Sequence, residues 1–492
     1  MSNNSKYLEE PLYEIWQNLD FQKKIVTADG DDIEILDPGT RDENLGGPDF
    51  KNARLRIGNL TFVGDVEIDI NYSDWKTHAH NVNNDFNKVI LHVSLFNKYM
   101  QPYVYSKDGR KIPSISLNDC VDKNLVKRFD KLQKEQKSNH NQLKCVYNQD
   151  KVEIEVKKKF LAELGMNRFH KKCNKVYQRL KELTFLKQKQ INEPVIKYEM
   201  TPEFNSKEFY SDEFKDKNLW LQLLYEFIFE ALGYSQNKEA MLKLSQHAKI
   251  EFIDETCVKE NFLINAEAIL FNVGGLVPEV SKLPDQEKSD YSVKIYEIWK
   301  EYKQKYDGET LSETDWTFYK IRPQNFPTIR IAGGVRFLNM LLHENLLNRV
   351  VKKIMEIQNL NVLAKSLRSL FVIKSDGFWM KHFVFDQPAK NEIRYFIGAS
   401  RADEIVVNVL LPFMAVYFDL FSNEKHARKV IDIYNVYLQQ GENNIIRKVS
   451  EGLGVQDLKN STVYTQGMIE LFRNYCSKNR CMECEIGKVA FA

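Results

Sequence analysis

Residues 44–93 read NLGGPDFKNARLRIGNLTFVGDVEIDINYSDWKTHAHNVNNDFNKVILHV, and this stretch decides the fold class. Short runs of alternating apolar and polar residues are separated by turn-forming pairs such as Gly58-Asn59, a pattern typical of strands that bury one face. The same texture begins earlier, at KKIVTADGDDIEIL (residues 23–36), and continues to about residue 120. We therefore predict a short leading helix, a small and mostly antiparallel mixed sheet, and a closing strand.

Beyond residue 121 the pattern changes to apolar residues at helical spacing, as in WLQLLYEFIFEALGY at residues 220–234. The predicted fold class is therefore α+β, with the sheet first and a mainly α-helical region after it. We divide the chain into an α/β domain at residues 1–120, a basic helical connection at 121–192, a helical domain at 193–450, and a C-terminal helix with a cysteine-bearing turn at 451–492.

The composition excludes several classes of protein. The 492 residues carry 70 Lys plus Arg against 68 Asp plus Glu, so a polyanionic partner needs a local basic patch. Seven Cys are too few for a disulfide scaffold, and their odd number favours a reducing, cytoplasmic location. No secretory signal pattern is visible at the N-terminus. Polar residues and a proline interrupt the apolar run at 405–421, which predicts a buried core helix and no membrane span.

One segment departs from the neutral average. Residues 157–189 contain eleven Lys or Arg against two Glu. A helix with such a basic outer face could follow a nucleic-acid backbone, because each cation releases counterions on contact with phosphate. We assign this contact to Lys171, Lys172, Lys175 and Arg179. The alternative is a solvated helix face in a Lys-rich protein.

A second pair of cations lies in RPQNFPTIR at residues 322–330. Its two prolines predict a rigid, extended connection between helices. Arg322 and Arg330 are candidates for contacts with phosphate, since a guanidinium binds it in bidentate fashion. The alternative is that they support helix ends by donating to free carbonyl groups.

The quoted stretch also carries an acid pair. Asp49 precedes one apparent strand, and Glu67 and Asp69 lie on the next strand, on the same face because side chains alternate. Hard divalent cations take oxygen ligands of this kind, and a metal-bound water then serves as nucleophile. We predict a Mg²⁺ or Mn²⁺ site held by Asp49 and Glu67, assisted by Asp69 and completed by Glu14 of the leading helix. The alternative is a set of acids on an edge strand facing water.

Histidines follow directly, in DWKTHAH at residues 74–80. His78 and His80 are predicted to move protons at the acid site. Two imidazoles at this spacing beside a carboxylate also fit a transition-metal or Zn²⁺ site, with His92 as a further candidate. The alternative for each is a hydrogen-bonded histidine of a turn or of the core.

The C-terminal segment contains Cys476, Cys481 and Cys484 in the spacing C-x4-C-x2-C. Thiolates this close in sequence can share a Zn²⁺ ion or an iron–sulfur cluster, and we predict one of these cofactors here. A fourth ligand is missing locally, so Cys120, Cys145, Cys173, Cys257 or a histidine are the candidates. The alternative is a group of free, buried thiols.

The acid spacing resembles the PD-(D/E)XK nuclease superfamily. The resemblance implies a restriction-endonuclease-like core for the N-terminal domain, with a flanking helix, a small mixed sheet and a catalytic acid pair. One position departs from the pattern, because Asp69 stands where that superfamily places its catalytic lysine. A degenerate fold of this type would bind nucleic acid without cutting it.

A broader resemblance rests on an ordered set of motifs along residues 16–487: GPDF, GDVEI, SDW-x2-H-x-H, VILHV, RP-x-NFP-x-IRIA and the closing C-x4-C-x2-C. This set resembles a bacterial family of uncharacterised proteins catalogued as domain of unknown function 2851. It implies a common architecture and carries no assigned activity.

Three functional hypotheses follow. The first is a metal-dependent nucleic-acid phosphodiesterase that binds nucleic acid, DNA or RNA, through the basic helix. The second is a non-catalytic RNA or ribonucleoprotein binding module with a degenerate nuclease-like fold. The third is a hydrolase that uses the histidine cluster on a small substrate.

Overall fold

A computed structural model describes residues 10–19, 24–27, 30–41, 47–78, 80–97, 101–120, 143–278, 288–319, 321–441, 443–478 and 480–491. The chain forms two compact units. Unit 1 comprises Met1–Gln142 and Phe318–Ile321, and unit 2 comprises Leu143–Thr317 and Arg322–Ala492. This division differs from the four predicted parts, because everything after residue 143 except one short segment belongs to a single unit. Residues 121–142, at the start of the predicted connection, lie outside the described residues.

Unit 1 begins with helix α1 (Glu10–Asn18), which covers one face of a mixed sheet. Leu12, Ile15 and Trp16 recur at helical spacing, and all three are buried in the same core as the strands. The leading helix and the mixed sheet of the prediction are therefore confirmed. The strands are β1 (Ile25–Val26), β2 (Asp32–Asp37), β3 (Thr40–Arg41), β4 (Phe50–Ile57), β5 (Leu60–Asn71), β6 (Val89–Phe96), β7 (Tyr103–Tyr105) and β8 (Lys111–Ser116).

The sheet has the order β1-β2-β4-β5-β6-β8-β7, with β3 paired to β4. Strands β2, β4 and β5 are antiparallel neighbours, and the β4–β5 hairpin turns at Gly58, whose φ of 57° suits a residue without a side chain. Strand β6 then runs parallel to both β5 and β8. Between β5 and β6 the described residues form the short helix α2 (Asp74–Thr77) and two 3₁₀ turns.

Strand β5 separates an apolar face from an acidic one. Val66, Ile68 and Ile70 belong to the core that α1 covers, whereas Glu67 and Asp69 alternate with them and point to the opposite face. Both acids are nevertheless buried. The predicted common face of Glu67 and Asp69 is confirmed, but this face is enclosed and is not an edge strand facing water.

Unit 2 is mainly helical, as predicted. Two short antiparallel strand pairs, β9 (Ile373–Lys374) with β12 (Tyr395–Ile397) and β10 (His382–Val384) with β11 (Gln387–Pro388), lie among its helices. The helices are α3 (Ile154–Gln188), α4 (Thr201–Ser206), α5 (Lys217–Leu232), α6 (Lys238–His247), α7 (Ile250–Thr256), α8 (Phe262–Val273), α9 (Asp290–Tyr302), α10 (Pro327–His343), α11 (Leu346–Glu356), α12 (Leu360–Phe371), α13 (Ala399–Ile405), α14 (Leu411–Leu420), α15 (Glu424–Val436), α16 (Asn444–Leu453), α17 (Thr462–Leu471) and α18 (Glu485–Ala490).

Helix α3 is a central element of unit 2 and packs against α5, α14, α17 and α18. It approaches α17 at two glycines. A Cβ atom on Gly165 would lie 2.0 Å from the carbonyl oxygen of Val463, and one on Gly467 would lie 2.0 Å from that of Leu161. Because only glycine permits this distance, the two backbones touch. Helix α3, which the prediction assigned to a basic connection, is therefore packed within unit 2.

The apolar run at residues 405–421 spans the end of α13, a π-helical turn (Val406–Leu410) and α14. Most of its apolar side chains are buried, which confirms the predicted core helix. No helix among the described residues combines the length and the apolar character that crossing a bilayer requires.

Candidate functional site

The acid pair of the sequence is brought together by the start of β4 and the middle of β5. The Asp49 backbone N–H donates to Glu67 Oε2 at 3.1 Å, and the Ile68 N–H donates to Asp49 Oδ2 at 2.9 Å. Tyr13 of α1 donates its hydroxyl to Asp49 Oδ1 at 2.8 Å. Glu14, which was expected to complete this site, is exposed, so the contribution of α1 comes from its neighbour in sequence.

Three histidines surround the next acid on β5. His78 Nδ1 lies 3.0 Å from Asp69 Oδ1, and His92 Nε2 lies 3.3 Å from Asp69 Oδ2. His80 Nδ1 lies 3.7 Å from Asp69 Oδ2 and 3.4 Å from Glu67 Oε1. One ligand atom each from Asp69, His78 and His80 falls within 4.8 Å of the others. The site therefore joins the predicted acids to the predicted histidines.

The sheet register explains why His92 takes part. It sits opposite Glu67 on the parallel neighbour β6, and its Nδ1 is 2.8 Å from Ser114 Oγ on β8. The imidazole thus bridges a hydroxyl and the Asp69 carboxylate across three strands. Metal-binding carboxylates are commonly oriented by such outer partners. Ser114 was not identified from the sequence, because nothing local connects it to the DWKTHAH motif.

Aromatic rings enclose the histidines. Phe86 stacks on His80 with ring centroids 4.1 Å apart, and Trp75 meets His80 and His92 edge-on at 5.2 and 5.3 Å. Tyr319, from the short segment of unit 1 that is distant in sequence, lies 5.1 Å from the His80 ring. His80 is fully buried, whereas the His78 side chain is 21% exposed, so His78 is the part of this group that reaches solvent.

The surroundings keep Asp69 charged. Burial by itself raises the pKa of this carboxyl, but the hydrogen bonds from His78 and His92, together with the charge of His80, outweigh it. The pKa of Asp69 therefore lies well below its usual range. An ionised carboxylate beside two imidazoles is a donor set suited to a divalent transition metal, because imidazole nitrogen binds such ions better than it binds Mg²⁺.

The cations predicted to contact phosphate are engaged inside unit 2. Lys171 Nζ lies 2.5 Å from Glu470 Oε1, and Lys175 Nζ lies 2.5 Å from Glu230 Oε1. Lys172 donates to the side chains of Asn408 and Gln466. Lys171 and Lys175 still reach solvent, but acids from other helices balance their charges. The charge at these positions is therefore not of one sign, because the acids are far away in sequence and close in space, and contact with nucleic acid here stays a prediction.

The arginines behave differently from one another. Arg179 is buried and forms a bidentate contact with Glu226, at 2.7 and 2.9 Å. Arg330 is also buried; it donates to the Phe396 carbonyl and stacks over the Tyr234 ring, and desolvation lowers its pKa to about 10. Both guanidinium groups are therefore engaged within unit 2, and the carbonyl that Arg330 binds belongs to strand β12 and not to a helix end. Arg322 is exposed.

The three C-terminal cysteines lie in one part of unit 2. Cys476 ends a π-helical turn that follows α17, Cys481 starts a 3₁₀ turn, and Cys484 immediately precedes α18. None of them forms a disulfide. Cys145, near the start of unit 2, packs in the same apolar cluster as Cys484 and Cys476.

Comparisons with known proteins give one family match. The model of a family described as "Protein of unknown function (DUF2851)" matches residues 9–213 and 203–444. No curated protein and no solved structure matches the chain. The match includes the acid and histidine site of unit 1 and ends before the C-terminal cysteines. Since it spans well over half of the sequence, the chain belongs to the DUF2851 family.

Proposed function

We propose that unit 1 is a metal-dependent phosphodiesterase that acts on nucleic acid. The observation that carries the proposal is the group formed by Asp69, His78 and His80, whose ligand atoms lie within 4.8 Å of one another beside the acid pair Asp49 and Glu67. These five chemically active side chains, which the sequence spreads over 32 residues, lie close to one another around β5.

The topology of unit 1 supports a nuclease-like assignment. An antiparallel hairpin, β4–β5, carries the acid pair, a parallel strand β6 follows on the far side of β5, and α1 covers the opposite face. This is the order of elements expected for a restriction-endonuclease-like core. The lysine of that pattern is replaced by Asp69, and we propose that the histidines take over the local positive charge that the lysine would supply.

The donor set favours Mn²⁺ over Mg²⁺ as the cofactor. Mg²⁺ prefers an all-oxygen shell, whereas Mn²⁺ accepts carboxylates together with imidazoles. Asp69, His78 and His80 would hold the ion. When bound, such an ion polarises a phosphoryl oxygen and lowers the pKa of a water molecule.

The other residues position these ligands and handle protons. His92, held by Ser114, orients the Asp69 carboxylate. Tyr13 and the Ile68 N–H hold both oxygens of Asp49. Glu67 Oε1 faces the histidine group, and this carboxylate is the one placed to accept the proton of an attacking water. Substrate would enter on the side of His78, the partly exposed member.

Two parts of the initial hypothesis change. Lys171, Lys175 and Arg179 of α3 are paired with acids and Lys172 with side-chain amides, so we no longer assign these four to the nucleic-acid backbone. The same pairing weakens the alternative of a non-catalytic RNA or ribonucleoprotein binding module, since that module would have depended on α3 for its contacts. A buried histidine cluster remains compatible with a small phosphodiester substrate, and the assay below includes one.

The test begins with metal binding. The full chain would be titrated with Mn²⁺. The concentration of unbound Mn²⁺ would be measured by electron paramagnetic resonance. We expect one tight site, loss of that site in His80→Gln, and a roughly 10- to 100-fold weaker site in His92→Gln, because outer partners tune affinity by about that factor. His170→Gln, at an exposed position on α3, is the matched control and should bind Mn²⁺ as the wild type does.

Cleavage is then measured with labelled single-stranded, duplex and structured nucleic acids and with a small nitrophenyl phosphodiester, in Mn²⁺ or Mg²⁺. We expect Mn²⁺-dependent cleavage of a nucleic acid that is lost in Asp69→Asn and His80→Gln and kept in His170→Gln. Cleavage of the small ester without cleavage of any nucleic acid would show that the substrate is a small phosphodiester and not a nucleic acid. Binding of nucleic acid without cleavage under any condition would refute the enzymatic proposal in favour of the binding module.

A further inference from the structure

We propose that Cys145 joins Cys476, Cys481 and Cys484 to form a four-cysteine site for an iron–sulfur cluster in unit 2. The sequence separates Cys145 from the other three by more than 300 residues, and the fold places it in one apolar cluster with Cys484 and Cys476. This site is distinct from the metal site of unit 1 and has its own ligands and chemistry.

The geometry of the C-terminal segment supports the site. The Arg480 N–H donates to the Tyr475 carbonyl at 2.9 Å, and the Cys484 N–H donates to the Cys481 carbonyl at 3.2 Å, so the chain turns back on itself twice within ten residues. Gly487 permits the second turn, because a Cβ atom there would lie 2.0 Å from the Cys481 carbonyl oxygen. Cys481 and Cys484 therefore lie on one tight turn against α18, eight residues or fewer after Cys476.

Cys145 approaches this volume from the start of unit 2. It precedes the 3₁₀ turn Val146–Lys151, which packs against α18, and it is buried in the same apolar cluster as Cys484. Every one of the six pairs among the four cysteines interacts electrostatically. Burial, followed by these neighbouring thiols, raises the pKa of Cys145 to about 11 and that of Cys476 to about 12.

The spacing of the sulfurs favours a cluster over a single zinc ion. Four thiolates bound to one Zn²⁺ through bonds of about 2.3 Å would lie about 3.8 Å apart. Among the described residues, no three of these cysteine sulfurs all lie within 4.8 Å of one another. The group that meets this limit is the one formed by Asp69, His78 and His80. A cluster of several irons bridged by sulfides binds thiolates whose sulfur atoms are farther apart.

The spacing in sequence agrees with this choice. Structural zinc sites typically draw their ligands from two closely spaced pairs. Here three cysteines lie in C-x4-C-x2-C and the fourth is remote, an arrangement found among iron–sulfur proteins of the plant-ferredoxin type.

The first experiment uses the unaltered full chain, purified without oxygen and analysed for iron, acid-labile sulfide and zinc. We expect iron and sulfide in equal amounts, at two or four per chain, with the visible absorption of a cluster. Zinc at one per chain with no iron would overturn the cluster. Absence of both metals, even after incubation with ferrous iron and sulfide, would overturn the site altogether.

The second experiment tests Cys145 as a ligand. Cys145→Ser should lose the iron and the visible absorption to the same extent as Cys481→Ser, whereas Cys173→Ser and Cys257→Ser should keep both. If Cys145→Ser retains iron while Cys481→Ser loses it, Cys145 is not a ligand of the cluster.

Because a serine at this buried position could also unfold the unit, the wild type provides an independent measurement. Alkylation followed by mass spectrometry should find all four cysteines protected while the cluster is present and reactive after its removal. Reactivity of Cys145 in the intact cluster form would refute the assignment. None of these measurements uses cleavage, so their outcome is separate from that of the proposed phosphodiesterase.

Discussion

The contact between α3 and α17 allows a quantitative test of how unit 2 is packed. We consider the substitution Gly467→Ala, which adds one methyl group where the α3 backbone lies. The added carbon would be 2.0 Å from the Leu161 carbonyl oxygen, and real Cβ atoms essentially never come closer than 3.0 Å to such an atom. The two helices must therefore separate by at least about 1 Å, because a backbone atom, unlike a side chain, cannot rotate away from the contact.

The expected loss of stability follows from two opposing effects. Overpacking of a tight core contact costs about 3 kcal/mol when backbone must move. Alanine is better than glycine inside a helix by about 1 kcal/mol. The net loss is therefore about 2 kcal/mol. Gly452→Ala is the matched control, because the three atoms nearest to its Cβ all belong to the Leu143 side chain, at 2.9 to 3.4 Å, and none of them to the backbone.

Amide hydrogen exchange in peptides covering α17 is the appropriate assay, since it reports the local free energy of opening in a chain with two units. A loss of 2 kcal/mol corresponds to about 30-fold faster exchange, because 1.4 kcal/mol is a factor of about ten. Gly452→Ala should change the rate less than about threefold in its own helix. If Gly467→Ala exchanges no faster than the control, the close approach of α3 and α17 is wrong.

Three further outcomes are expected. Glu226→Gln leaves the buried Arg179 without its bidentate partner and should lower the stability of unit 2 by about 3 kcal/mol, whereas Glu155→Gln, in an exposed pair with Lys158, should change it by less than about 0.5 kcal/mol in denaturant unfolding. Arg330→Ala strands the Phe396 carbonyl and should cost about 3 kcal/mol, while the exposed Arg322→Ala should cost little; equal effects would contradict the burial of Arg330. Because the folded state lowers the pKa of Asp69 from 3.8, its stabilisation of unit 1 is present above that pH and is lost as the pH falls below it. The difference in stability between wild type and Asp69→Asn should therefore be constant near neutral pH and shrink in acid, and a difference that grew in acid would refute the direction of the shift.

Much of unit 1 could be predicted from local patterns. Alternation of apolar and polar residues indicates where β4 and β5 run, and it correctly puts Glu67 and Asp69 on one face. It does not indicate which face is enclosed. That depends on β6, because His92 and the rings of Trp75 and Phe86 cover the acids only once β6 has paired with β5 in parallel register.

The sequence predicts the residue types of the candidate site, but only some of the individual residues that form it. Acids and histidines close in sequence are visible as a motif, so Asp69, His78 and His80 were found. Tyr13, Ser114 and Tyr319 were not, because each comes from a different element and is an ordinary residue in its own stretch. Glu14 was chosen one position away from Tyr13, and the rotation of α1 against the sheet separates the two.

The sequence by itself determined the α+β class, the change from strands to helices near residue 121, and the cluster of metal-binding residue types, since all of these depend on periodicity and composition over short distances. Only the tertiary structure decided which charges are neutralised and which thiols are neighbours. Lys171 pairs with Glu470 across about 300 residues of chain, and Cys145 shares an apolar cluster with Cys484 across about 340. Electrostatic and coordination contacts act over a few ångströms in space, so packing alone determines which residues satisfy them.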